Sequence, residues 1–135
     1  MTFITYEHEV NMPYVTISAT EGLSAEQKKQ LLERSSDAVV QSIGAPLASV
    51  RVLLHDLPNG HYLNAGQFNT PGIMFVVDFI EGRTEEQRNA LIAALSKVGL
   101  ETTGIPESEV RVRLLDFPKA NMGMAGGVSA KAMGR

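Results

Sequence analysis

The chain repeats itself at a fixed offset of 60 residues, and this repeat restricts its possible folds more than any other feature. "EGLSAEQ" at Glu21 returns as "EGRTEEQ" at Glu81, "GAP" at Gly44 as "GIP" at Gly104, and "SVRVLLHDLP" at Ser49 as "EVRVRLLDFP" at Glu109. Ala65-Gly66 returns as Ala125-Gly126. No insertion interrupts the offset, so strand, helix and loop are duplicated together. Two copies are too few for a solenoid and predict a pair of units packed about a pseudo-twofold axis.

Each copy has the same order of signals. An apolar strand comes first, "YVTIS" in one copy and "IMFVVDFI" in the other. A helix start follows: Ser24 with Gln27, and Thr84 with Gln87, fit the capping box, in which side chains satisfy free backbone N–H groups. Leu31, Leu32, Ala38, Val39 and Ile43 form one helical apolar stripe, and Leu91, Ile92, Leu95 and Val98 the other. Gly44 and Gly104 stop the helices, each with a proline two residues later. A second strand carries Val50, Val52 and Leu54 in one copy and Val110, Val112 and Leu114 in the other. The unit is β-α-β, and its strands are expected to be parallel because a right-handed helical crossover joins them. The fold class is therefore α/β (α+β): a four-stranded mixed sheet with two helices on one face. The bare face of such a sheet must be buried, which predicts an oligomer whose sheets face one another.

The length of 135 residues suits a single domain, read as a first unit over 13–67, a second over 68–135, and an extension over 1–12. No apolar run reaches the ~20 residues of a membrane helix. "GIMFVVDFI" is interrupted by Asp78 and reads as a buried strand. Glu7 and Glu9 near the start, with no basic stretch before an apolar one, argue against a signal peptide. The absence of cysteine excludes disulfides, zinc-thiolate sites and cysteine nucleophiles, and fits a cytoplasmic location. A net charge of −3 with dispersed Lys and Arg argues against a nucleic-acid partner. His8, His55 and His61 lack metal-ligand spacing, and neither metal nor cofactor is expected. "GMAGG" lacks the Lys-Ser/Thr of a phosphate loop and reads as a hairpin turn, with Met122 and Met124 packed under it.

The sequence of signals (a proline, a strand, "EG-x-S/T-x-E-Q", a helix, "SVRV", a Gly-rich hairpin) resembles the tautomerase superfamily. The stretch from Pro13 to Gln67 is similar to a 4-oxalocrotonate tautomerase subunit. The duplicated length is similar to fused members such as cis-3-chloroacrylic acid dehalogenase and malonate semialdehyde decarboxylase. The resemblance implies the tautomerase/MIF-like fold, a homotrimer, and keto–enol chemistry on a small 2-oxo acid or other carboxylate, with an amino-terminal proline as general base. A free α-amino group titrates at about 7.7–8.0, and burial and nearby cations lower that further. Arginines would hold the carboxylate and polarise the carbonyl.

Carried onto this chain, the resemblance makes Pro13, eight residues before Glu21, the catalytic proline. The substrate arginine after "EG" is Leu23 in the first copy but Arg83 in the second, so Arg83 is the foremost binding candidate. Arg51 and Arg111 match the arginine of "SVRV", and Tyr62 matches an aromatic residue beside the family's site. Ile73 takes the place of a second proline, so at most one of the two equivalent positions can use proline chemistry. Met124 stands where the dehalogenases carry a water-activating carboxylate, and Arg113 where they carry a tyrosine, which argues against hydration and dehalogenation.

The largest departure is "MTFITYEHEVNM" ahead of Pro13. Attached, it makes the proline nitrogen a tertiary amide with no basic lone pair. Two readings follow. If Met12 is the working start and is removed, Pro13 is amino-terminal and the protein is a 2-oxo-acid tautomerase. If the chain works from Met1, it has weak or altered activity, or it is a non-catalytic carboxylate-binding or structural oligomer. "FITYEHEV" has strand-like composition and could add a strand. Taken alone, a proline at this place is an ordinary strand-start residue. The arginines could equally be solvated surface residues.

Overall fold

The structure is a computed structural model and describes residues 12–134. The strand suggested within the extension lies outside the described residues. Strand β1 spans Tyr14–Thr20, helix α1 Ala25–Ile43 and strand β2 Arg51–Leu57. Strand β3 spans Ile73–Ile80, helix α2 Glu85–Thr103 and strand β4 Val110–Phe117. Both helices are displaced by the same 60 residues at each end. A short antiparallel hairpin, β5 (Gly123–Met124) with β6 (Val128–Ser129), closes the second unit.

The helices begin and end as their sequences dictate. Ser24 Oγ accepts from the Gln27 N–H at 3.1 Å while Gln27 Oε1 accepts from the Ser24 N–H at 2.9 Å. Thr84 and Gln87 repeat the box at 3.1 and 3.0 Å. Gly44 and Gly104 close the helices at φ 68° and 79°, a left-handed conformation that glycine adopts without strain.

The sheet order is β2-β1-β3-β4. β1 pairs parallel with β2, β3 parallel with β4, and β1 antiparallel with β3. The central register displays the pseudo-twofold axis. Thr16 pairs with Val76, its own repeat equivalent, while Val15 pairs with Val77 and Ile17 with Phe75, so equivalents exchange across the axis. The second strands of the two units occupy the two edges.

Alternation along the strands sends Val15, Ile17, Ala19, Phe75, Val77 and Phe79 under the helices, where all are buried. The helices meet them with Leu31, Ala38, Val39 and Ile43, and with Leu91, Leu95 and Val98. Two positions differ from the predicted stripes. Ile92 is 39% exposed, because it is turned about 100° from Leu91, out of the helix–sheet seam and towards the outer edge beside β4. Ser35 is fully buried although polar, at the position where the second copy has Leu95.

Among the described residues no element covers the other face of the sheet. Tyr14, Leu53, Met74 and Leu115 are exposed on it, together with Arg51, Arg111 and Arg113. Asp78 also points to this side, and desolvation pushes its carboxyl above the usual range. Among the described residues no helix is long and apolar enough to cross a membrane.

Candidate functional site

The antiparallel pairing of β1 with β3 decides which candidate residues meet. Pro13 immediately precedes β1, so it lies at the end of the sheet where β3 and β4 finish and β2 begins. Arg83 follows β3 at this same end, and Arg51 opens β2 there. Pro13 is fully buried, and its carbonyl accepts from the Arg51 N–H at 3.1 Å. Tyr62 and Arg111 stand at the opposite end, about 20 Å away along a seven-residue strand. Within one protomer the structure therefore places Pro13, Arg83 and Arg51 at one end of the sheet, and Tyr62 and Arg111 at the other.

Arg83 is held by a partner that local sequence does not announce. Its Nη1 donates at 2.8 Å to the carbonyl of Ile43, the last residue of α1 and 40 positions away in the chain. The negative end of the helix dipole thus receives the guanidinium. Its Nη2 is buried and has no hydrogen-bond partner among the described residues. Desolvation lowers the pKa of Arg83 from its usual value, yet a guanidinium stays charged at neutral pH. One fork of the arginine is thus anchored while the other remains able to take an acceptor. The turn that delivers Arg83 is itself fixed: the Glu81 N–H donates to the Phe117 carbonyl at 2.9 Å, and Gly82 adopts φ 121°.

Arg51 and Arg111 adopt matching poses. Arg51 Nη1 donates to the carbonyls of Ala48 and Val50, and Arg111 Nη1 to those of Ser108 and Val110. Both sit on the uncovered side of the sheet. Arg51 pairs with exposed Tyr14, whereas Pro13 belongs to the alternate, helix-covered side.

Met12 completes this end. It packs against Ile80, Met124 and Ala130, a cluster that Met122 and Met133 extend. Met124 is buried, as its place under the hairpin predicts. Met12 also has φ 23°, a left-handed value that costs a non-glycine residue, and one at odds with the extended preference of a residue before proline. The sequence alone did not bring Met12 and Ile80 into the site; the signal lay in the methionine-rich C-terminal hairpin and in which strand ends it covers.

The far end is filled differently. Ile73 is buried where the other end has Pro13, and Leu23 replaces Arg83. Tyr62 lies so close to Gly72 that a Cβ added there would stand 2.9 Å from its Cε2. A small cavity of ≈ 120 Å³ remains, lined by Thr20, Glu21, Tyr62, Asn69 and Thr70 among others. Among the described residues no cluster of three or more His, Cys, Asp or Glu side chains could hold a metal.

The family described as "Tautomerase enzyme" matches this chain twice, over residues 13–69 and 76–132. The chain belongs to the tautomerase family. Both matches fall on the β-α-β units, and the first begins at Pro13. Among curated tautomerases, 2-hydroxymuconate tautomerase from Pseudomonas putida is 52% identical over 56 residues, which is 42% of this chain and 87% of that protein. Single-unit tautomerases of this kind correspond to less than half of this duplicated chain. Several solved structures match nearly all of it. The crystal structure of Pt0534 inactivated by 2-oxo-3-pentynoate is 93% identical, with a TM-score of 0.89, covering 90% of this chain and 99% of that one. A fused 4-OT designated Q0, a symmetric trimer, is 43% identical with a TM-score of 0.86 and the same coverage.

Proposed function

We propose that this tautomerase-family chain is a keto–enol tautomerase of 2-oxo acids, with Pro13 as base whenever Pro13 is amino-terminal, and weak or altered activity while residues 1–12 remain attached. The observation that carries the reading is Arg83, a desolvated guanidinium with an unpartnered donor at the Pro13 end of the sheet. A bidentate cation in that position suits a carboxylate. The free amine takes the hydroxyl proton of the enol, the oxygen lone pair forms the C2 carbonyl, and the same nitrogen returns the proton to carbon. Arg83 holds the carboxylate through both protonation states. An arginine on the carbonyl oxygen stabilises the charge that develops there.

The relatives support this reading. A protein 93% identical to this chain was inactivated by 2-oxo-3-pentynoate, a 2-oxo acid whose alkyne accepts a nucleophile. A secondary amine at a carboxylate-binding site is such a nucleophile. The test is an ultraviolet assay of the Pro13-first protein with phenylenolpyruvate. Accelerated loss of the enol supports the reading, and a rate equal to that of buffer contradicts it.

The second reading, a non-catalytic carboxylate-binding oligomer, is favoured by one observation: the Met12–Pro13 peptide bond, which leaves the nitrogen without a lone pair to accept a proton.

The assembly is proposed to be a homotrimer. Apolar Tyr14, Leu53, Met74 and Leu115 lie exposed on the uncovered sheet face, and fused 4-OT neighbours are symmetric or asymmetric trimers. Facing sheets would also carry Arg51 and Arg111 towards neighbouring protomers, where one of them could reach the substrate carbonyl. Light scattering at micromolar concentration is expected to give the mass of three chains; the mass of one chain would contradict the assembly.

A further inference from the structure

We infer that Arg88 is a positioning residue for Arg83, holding the main chain that delivers the carboxylate-binding guanidinium to the Pro13 end of the sheet. This inference rests on the tautomerase reading and adds a second arginine to it. Its basis is one contact: Arg88 Nη1 donates to the Arg83 carbonyl at 2.6 Å. Arg83 is thereby fixed at both of its ends. Its side chain donates to the Ile43 carbonyl at 2.8 Å, and its own carbonyl accepts from Arg88. The Nη2 donor is left to an incoming carboxylate.

The places of the two arginines explain the contact. Thr84 is the N-cap of α2, so Arg83 precedes the cap and Arg88 is the fourth residue of the helix. These two positions commonly carry apolar side chains that pack together and fix the angle at which the chain enters the helix. Here a hydrogen bond from a charged donor takes over that task, and such bonds are short and strong. The first unit lacks the arrangement. Its equivalents are Leu23 and Lys28, and Lys28 donates to Asp56 at 2.6 Å instead. Asp116 stands at the matching place in the second unit and lines the same groove as Arg88, yet Arg88 bonds the Arg83 carbonyl. Gly82, at φ 121°, gives the turn no stiffness of its own, so the tether falls where the main chain is freest. The unit that supplies an arginine to the Pro13 end is the unit that ties down the turn carrying it.

The test uses the Pro13-first protein with phenylenolpyruvate. Arg88→Met keeps the aliphatic stem and removes the donor. It is expected to raise KM by about 3–10-fold, the effect of a residue coupled to a binding contact. The value of kcat is expected to stay nearly unchanged, because Arg83 meets the carboxylate in ground state and transition state alike. In an Arg83→Ala background the same substitution is expected to leave KM nearly unchanged, since there is then no guanidinium to position. Lys28→Met, the repeat equivalent, is expected to leave both constants as they are. An Arg88→Met effect that persists at full size without Arg83, a loss confined to kcat, an unmoved KM, or an equal rise for Lys28→Met overturns the role of Arg88 while leaving the tautomerase reading intact. Inactivity of the unsubstituted Pro13-first protein overturns the tautomerase reading, and the role of Arg88 with it.

Discussion

Removing residues 1–12, so that Pro13 carries a free amine, is expected to raise tautomerase kcat/KM by ~10²–10⁴-fold over the intact chain. The factor is the usual contribution of one positioned general base. In the intact chain the nitrogen is an amide whose lone pair is shared with the Met12 carbonyl, and Met12 itself fills the space beside it. Truncation changes both conditions at once: it creates the base and opens the approach to it. Helix α1, the sheet and Arg83 are all built from residues after Met12, so the rest of the site is retained. The comparison is made in one assay, with each protein verified intact by mass. An intact chain as active as the truncated one would show that the base is another group.

Arg83→Ala in the Pro13-first protein is expected to lower kcat/KM by about 10–150-fold. A hydrogen bond to a charged group contributes ~1.5–3 kcal/mol, and every 1.4 kcal/mol is about tenfold. The loss arises because the Nη2 donor, which has no other partner among the described residues, no longer meets the carboxylate. Arg83→Lys is expected to recover only part of the rate, since an ammonium cannot bond Ile43 and a carboxylate with the same planar fork. Leu23 occupies the equivalent place at the opposite end, and Leu23→Ala is expected to leave the rate nearly unchanged. Equal losses for Arg83→Ala and Leu23→Ala would indicate a general effect on packing and would contradict a carboxylate contact at Arg83.

The parts of the fold written in local pattern were readable in the sequence. The capping boxes at Ser24 and Thr84 use residues three apart, and the stop glycines lie directly at the helix ends. The 60-residue offset carries over into the sheet, where Thr16 faces Val76. Side-chain rotation was less legible. Ile92 lies beside a buried leucine in sequence yet faces outwards, and Ser35 is buried where a polar residue reads as solvent-facing. The site was legible in its residue types and only partly in its grouping. Pro13, Arg83 and Arg51 share one end, while Tyr62 and Arg111 lie at the other, because the two units pack antiparallel to one another. That division is a property of the register between units, which no single motif encodes. The contact between Arg83 and Ile43 spans 40 residues and depends on where α1 ends relative to β3.

The central claim is that the chemistry takes place at the nitrogen of Pro13, and peptide mapping after treatment with 2-oxo-3-pentynoate tests it most directly. The nitrogen lone pair adds to the alkyne carbon distal to the carbonyl, and the N–H proton moves to the adjacent carbon, so the whole reagent is retained. The Pro13-first protein is predicted to gain one reagent mass per chain, on the peptide that begins with Pro13, in step with loss of activity; the intact chain is predicted to remain unlabelled there. Inactivation with the label on any other residue, or without a label on Pro13, would contradict the account.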